Sequence, residues 1–151
     1  SGFPGMKVLE FAFDSRDSGS ANDYLPHNYH ENAVVYTGTH DNETVVGWFD
    51  TICTEDRVLA KNYLCDYYTP DEEIYKPFIA LAMSSVAKYC IVPIQDYLGL
   101  DNSCRLNKPS TIGCNWRWRA TEKQLSKELQ RDILAQTMRY GRMNWKNYKK
   151  N

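Results

Sequence analysis

The residues of this 151-residue chain best equipped for chemistry are Thr39-His40-Asp41-Asn42, an imidazole beside a carboxylate. Adjacent side chains on an extended strand point to opposite faces, but at a strand end the chain turns and both can face one pocket. The preceding run AVVYTG (33–38) reads as such a strand, so the pair falls at its carboxyl end, where alpha/beta barrels gather catalytic groups. The plainer alternative is an Asp that caps a helix start beside a His satisfied by its neighbours. His27-x-x-His30 with His40 and Asp41 offers ligand types for a metal, although the spacing supports it weakly and His27 belongs to a PHNY turn. Asn42-Glu43-Thr44 fits a glycosylation sequon, which we discount for a cytosolic chain with this site in a cleft.

The elements that would position these groups are legible in outline. KVLEFAF (7–13) is rich in strand-favouring residues and is closed by the polar stretch from Asp14 to Asp23, and a third strand is expected over CIVPI (90–94), with Pro93 at its end. Thr54, followed by Glu55 and Asp56, predicts a helix to about Tyr67. Thr69-Pro70-Asp71-Glu72 predicts a second, kinked at Pro77 and ending near Tyr89, with Ile79, Met83, Val86 and Ala87 facing a core. Thr121 and Gln124 repeat the capping-box spacing before a last helix lined by Leu125, Leu129, Ile133 and Tyr140. Strands alternating with helices predict an α/β class with parallel pairing. Three strands alone would leave edges and apolar surface uncovered, which suggests part of a larger sheet or barrel.

Composition narrows the classes. A hydrophobic content of 42% suits one folded domain over residues 1–151. No apolar run approaches the roughly 18 residues that span a bilayer and no signal-peptide pattern opens the chain, so no membrane role is expected. Five cysteines without a Cys-x-x-Cys point to reduced thiols and a cytoplasmic setting. The net charge of −1 conceals 14 acidic and 4 basic residues up to position 75, against 5 and 14 thereafter. The basic residues of the second half are spread among Glu122, Glu128 and Asp132, so no nucleic-acid partner is expected.

YTGTHDNET (36–44) closely resembles a conserved region of the amylomaltase (4-alpha-glucanotransferase) family of glycoside hydrolases. GFPGMKVLEFAF (2–13), YLPHNY (24–29), PIQDYLGL (93–100) and NWRWR (115–119) match the same family in the same order. The resemblance implies a (β/α)8 barrel, of which this chain would be the C-terminal part, the last three βα units, followed by a helix. It implies transfer of α-1,4-glucan segments to glucose or malto-oligosaccharide acceptors, with retention, and no metal or organic cofactor.

Of the family's three carboxylates, Asp41 matches the one that stabilises the transition state. The nucleophile and the acid/base belong to earlier barrel strands and have no counterpart here, so the chain is expected to be inactive alone. The same resemblance gives His40 a hydrogen bond to the donor sugar, makes Asp14 a sugar-hydroxyl ligand, and sets Asn107 of RLNKP in a donor-subsite loop, with a plain loop Asn as the alternative. The family usually carries another residue where Lys108 stands. Trp116 and Trp118 alternate with Arg117 and Arg119, so an extended backbone would put both indoles on one face. They read as packing of a C-terminal segment, with stacking on a glucan as the alternative, and Trp48 reads as core. The rival to a catalytic role is a noncatalytic glucan-binding or assembly fragment, and exposed strand edges lead to the expectation of a homo-oligomer or a strand-swapped dimer.

Overall fold

The structure, a computed structural model, describes residues 2–17 and 22–148; positions 18–21 of the polar stretch after the first strand lie outside the described residues. The chain divides into two compact units, Ser1–Arg119 and Ala120–Asn151. The first is built on a parallel sheet in the order β1 (Gly5–Val8), β2 (Ala33–Tyr36), β3 (Tyr89–Ile91), so the α/β class holds. Met6 pairs with Val34 and Val34 with Tyr89; Val8, Tyr36 and Ile91 align in the same way. Alternation along the strands turns Ala33, Val35 and Cys90 to the core, while Met6, Tyr89 and Ile91 are exposed on the other face. β1 and β3 each pair with one neighbour and are edges.

The first strand is shorter than expected. After Val8 the chain tightens into a 3-10 turn, Leu9–Ala12, although the Glu10 amide still donates to the Thr37 carbonyl at 3.2 Å. Leu9, Ala12 and Phe13 are buried by that turn, and burial of a continuous apolar run does not reveal where extension stops. Between β2 and β3 lie α1 (Val45–Thr51), α2 (Thr54–Leu64) and α3 (Tyr75–Ser84). Of α1 only a helix start near Asp41 and Glu43 was legible in the sequence and not its extent, because VVGWF is too short and too uniformly apolar to show a helical period. Thr44 caps it, accepting from the Gly47 amide at 3.1 Å.

Thr69 is not the cap its spacing suggests, because its hydroxyl donates to Asp66 Oδ2 at 2.6 Å. A separate 3-10 turn, Asp71–Glu73, precedes α3, and Pro77 falls in the first turn of α3, where its missing N–H costs nothing and no kink results. In the second unit, Thr121 and Gln124 form the reciprocal capping bonds at 2.9 and 3.3 Å. The helix itself, α5 (Lys127–Arg139), starts later on a Ser126 cap, so Leu125 lies outside it and is exposed. Among the described residues no helix is long and apolar enough to cross a membrane, and all five cysteines are free.

The core of the first unit gathers Phe13, Val35, Val45, Trp48, Phe49 and Phe78, which confirms Trp48 as a core residue. The Phe78 ring meets Phe13 at 5.5 Å and Trp48 at 5.3 Å between centroids, both edge-on. A polar tie runs beside this core. Asp96, on the short helix α4 (Ile94–Tyr97), is 2% exposed and accepts from Thr37 Oγ1 at 2.6 Å and from the Val45 amide at 2.9 Å. Burial pushes its pKa up from 3.8 to about 6, against the pull of those two hydrogen bonds.

Two outcomes follow. Phe78→Ala removes a ring touching two aromatic neighbours and should cost about 3–5 kcal/mol in urea unfolding. The folded chain holds the Asp96 proton more tightly than the unfolded chain does. Stability from this group is therefore complete below pH 3.8 and is lost as pH rises through about 6. The loss amounts to about 3 kcal/mol, and comparing wild type with Asp96→Asn across that window should isolate it as a slope absent from the variant.

Candidate active site

The segment from Gly38 to Thr44 leaves the end of β2 and enters α1, and it is folded by its own side chains. Asn42 Oδ1 accepts from the Thr39 amide at 2.9 Å and from Thr39 Oγ1 at 2.7 Å, while the Asn42 amide returns to the Thr39 carbonyl at 3.1 Å. The sequon asparagine is thus the closing bond of a turn. At its crest His40 and Asp41 both line a cleft of about 560 Å³, as expected of a pair at a strand end. His40 Nε2 lies 3.4 Å from Asp41 Oδ1, with side chains 56% and 48% exposed.

A second segment, some 65 residues further along, holds this crest. Asn107 Nδ2 donates to Asp41 Oδ1 at 2.6 Å and its amide donates to the His40 carbonyl at 3.2 Å. Arg105 donates through Nη2 to the Asp41 carbonyl at 2.6 Å and through Nε to the Asn107 carbonyl at 2.9 Å. Asn107 is therefore brought to Asp41 directly, and Arg105 is a site residue that sequence reasoning passed over although it stands in the same RLNKP motif. Both contacts to the Asp41 carboxylate fall on Oδ1, so Oδ2 can accept from hydroxyls of a polar ligand. Trp116 sits at φ +63°, which breaks the extended alternation expected of NWRWR. Its indole lies 5.3 Å from the His40 ring, whereas Trp118 is half-buried.

Glu43 also lines the cleft, a place the sequence did not require of it. Its carboxylate is engaged: Asn102 Nδ2 donates to Oε1 at 2.8 Å and Thr51 Oγ1 to Oε2 at 3.3 Å. Asn102 Oδ1 accepts from the Thr44 amide at 3.2 Å, and it reaches that position because Gly47 has no Cβ to displace it. Behind the cleft, Glu10 is 5% exposed and its Oε1 is buried without a hydrogen-bond partner among the described residues. Burial raises its pKa well above the usual carboxylate range, Asp96 and Glu43 raise it further, and Arg105 opposes them. A Cβ at position 38 would lie 2.6 Å from Glu10 Oε1, so any larger residue there would require the Glu10 carboxyl to shift.

Asp14 is not brought to the cleft. Its carboxylate takes two hydrogen bonds from the Arg16 guanidinium, at 2.8 and 2.7 Å, which hold its pKa down to about 2. His27 stacks on Tyr63 and meets its hydroxyl at 2.9 Å through Nδ1. Among the described residues no three His, Cys, Asp or Glu side chains converge as metal ligands.

Comparison with known proteins places this geometry. The family model described as 4-alpha-glucanotransferase matches residues 1–125. The chain is 51% identical over 142 residues to a 4-alpha-glucanotransferase of Synechocystis, covering 93% of this chain and 27% of the relative. It is 46% identical over 144 residues to that of Clostridium butyricum, covering 94% and 28%. It superposes on the amylomaltase from Streptococcus agalactiae in complex with acarbose with a TM-score of 0.86 at 36% identity, over 95% of this chain and 28% of that one. The chain thus spans a little over a quarter of the length of these relatives, and by sequence and fold alike it belongs to the 4-alpha-glucanotransferase family.

Proposed function

We propose that this chain supplies the last three βα units of a (β/α)8 barrel in a 4-alpha-glucanotransferase. Such an enzyme cuts an α-1,4 bond, keeps the donor piece as a covalent glycosyl-enzyme, and passes it with retention to another glucan's 4-hydroxyl. Asp41 is its transition-state-stabilising carboxylate, with His40 and Asn107 as further contacts to the donor sugar. The observation that carries this reading is the half-exposed Asp41 carboxylate, set in a sugar-sized cleft beyond the middle strand and braced at Oδ1 by Asn107 and His40. Asp14, tied down by Arg16, is given no sugar contact in this reading.

Retaining transfer needs a nucleophile and an acid/base carboxyl about 5 Å apart across the anomeric carbon. Asp41 cannot fill both roles. Glu43 spends both oxygens on Asn102 and Thr51, and Glu10 is buried away from the cleft lining. The two working carboxylates are therefore taken to come from polypeptide outside these 151 residues, and the ligands are malto-oligosaccharides and α-1,4-glucans. A cytoplasmic setting is supported by five free cysteines, which suit a reducing compartment.

The isolated chain should convert no maltotriose to glucose and longer oligomers; appearance of both products would defeat the proposal. Residues 2–148 grafted in place of the matching stretch of the Synechocystis enzyme should restore that reaction. Asp41→Asn in the graft should lower kcat by about 10³-fold, as loss of a group aimed at developing charge does. The isolated chain, with two open sheet edges, should self-associate as a homo-oligomer or strand-swapped dimer. A single 17.5 kDa species in light scattering would count against that.

A further inference from the structure

The contacts made by Arg105 and Asn107 fix the backbone at His40 and Asp41 and one oxygen of the Asp41 carboxylate, but they leave the His40 ring alone. That ring is more than half exposed and, among the described residues, has one polar neighbour, Asp41, at a long 3.4 Å. An exposed imidazole so loosely tethered samples several rotamers. The missing restraint is Trp116. Its indole lies against the imidazole, with centroids 5.3 Å apart and planes tilted by 37°, yet it remains 53% exposed, so the contact is not a by-product of core packing.

The backbone at Trp116 is strained to make that contact. A φ of +63° is rarely adopted by a bulky side chain and persists only where the surroundings over-determine it. Here the Trp116 amide donates to the Leu106 carbonyl at 2.6 Å, and Arg119 Nη1 donates to the carbonyls of Trp116 and Trp118, both at 2.8 Å. Asn115, one residue earlier, takes the Lys108 amide on its Oδ1 at 2.9 Å. Glycine at this position would satisfy the same backbone bonds without strain.

We propose that Trp116 is a positioning residue for His40. Its indole holds the imidazole so that Nε2 stays toward the Asp41 carboxylate, and the left-handed backbone at 116 is retained because it aims the indole. Trp116 takes no part in bond exchange. The consequence for sugar affinity rests on the glucan-site reading given above; the contact itself does not.

The test uses the 151-residue chain. Its His40 ring resonance, assigned by comparison with His40→Gln, should be displaced upfield by the ring current of the indole it lies against. Trp116→Gly should abolish that shift while leaving Tm unchanged or raised, since glycine accepts the left-handed backbone; Trp116→Asn, which also tolerates it, should behave in the same way. Trp116→Phe should keep most of the shift. In the Synechocystis graft described above, acarbose affinity by calorimetry should fall about fivefold for the glycine variant and stay within about twofold for the phenylalanine variant, the range spanned by one aromatic contact. An unshifted His40 resonance in the wild-type chain, or a shift that survives loss of the indole, overturns the proposal. So does a marked fall in Tm for both the glycine and asparagine variants, which would make the indole merely structural. If the resonance behaves as described but the grafted enzyme with Trp116 intact binds no acarbose, the glucan-site reading fails and the positioning contact stands.

Discussion

A single buried carboxyl, that of Asp96, pins both ends of the segment that carries His40 and Asp41. Thr37, where β2 gives out, donates to one oxygen, and Val45, where α1 begins, donates to the other. Everything between them is a loop whose termini cannot drift apart without leaving a buried acid unsatisfied, a costly state in a low-dielectric interior. The group that makes this junction belongs to α4, just past β3, so closure of the loop depends on the third strand already being in place. Local turn chemistry at Thr39 and Asn42 then shapes the crest.

Between its pinned ends the loop is dressed by side chains from far along the chain. Arg105 is the pivot. It bonds the carbonyls of Asp41 and Asn107, and its positive charge offsets the acidic pressure that Asp96 and Glu43 exert on Glu10. Asp41 is thereby kept accessible while the neighbouring carboxylates are either engaged or buried. One accessible acid amid neighbours that are engaged or buried is how a cleft of this kind separates roles among carboxylates.

The sequence made the site more legible than the fold around it. The pairing of His40 with Asp41 at a strand end was readable from the residues themselves, whereas Asn107, 66 residues from Asp41, was reached only through the family resemblance. Boundaries were less readable for identifiable reasons. At Leu9 to Ala12 an apolar run changes from strand to 3-10 turn without changing composition, and α1 is too short and apolar to show its period. At Thr69 a side chain with the right type and spacing for a cap bonds to Asp66 instead. Asp14 does not line this cleft, and its carboxylate is bonded by Arg16, two residues away. The contacts of Arg105, Asn102 and Trp116 span 59 to 76 residues of chain and leave no local signal.

The close approach of Gly38 to Glu10 has an evolutionary reading. The two positions lie just past the ends of adjacent strands and share one small volume, so a side chain at 38 would displace the carboxyl of residue 10. A lineage that shortens or removes the acid at 10 gains room for a larger residue at 38, whereas one that retains it admits a larger residue only where that carboxyl moves aside. Covariation between these two columns, rather than invariance of either, is the mark that this packing constraint would leave among relatives.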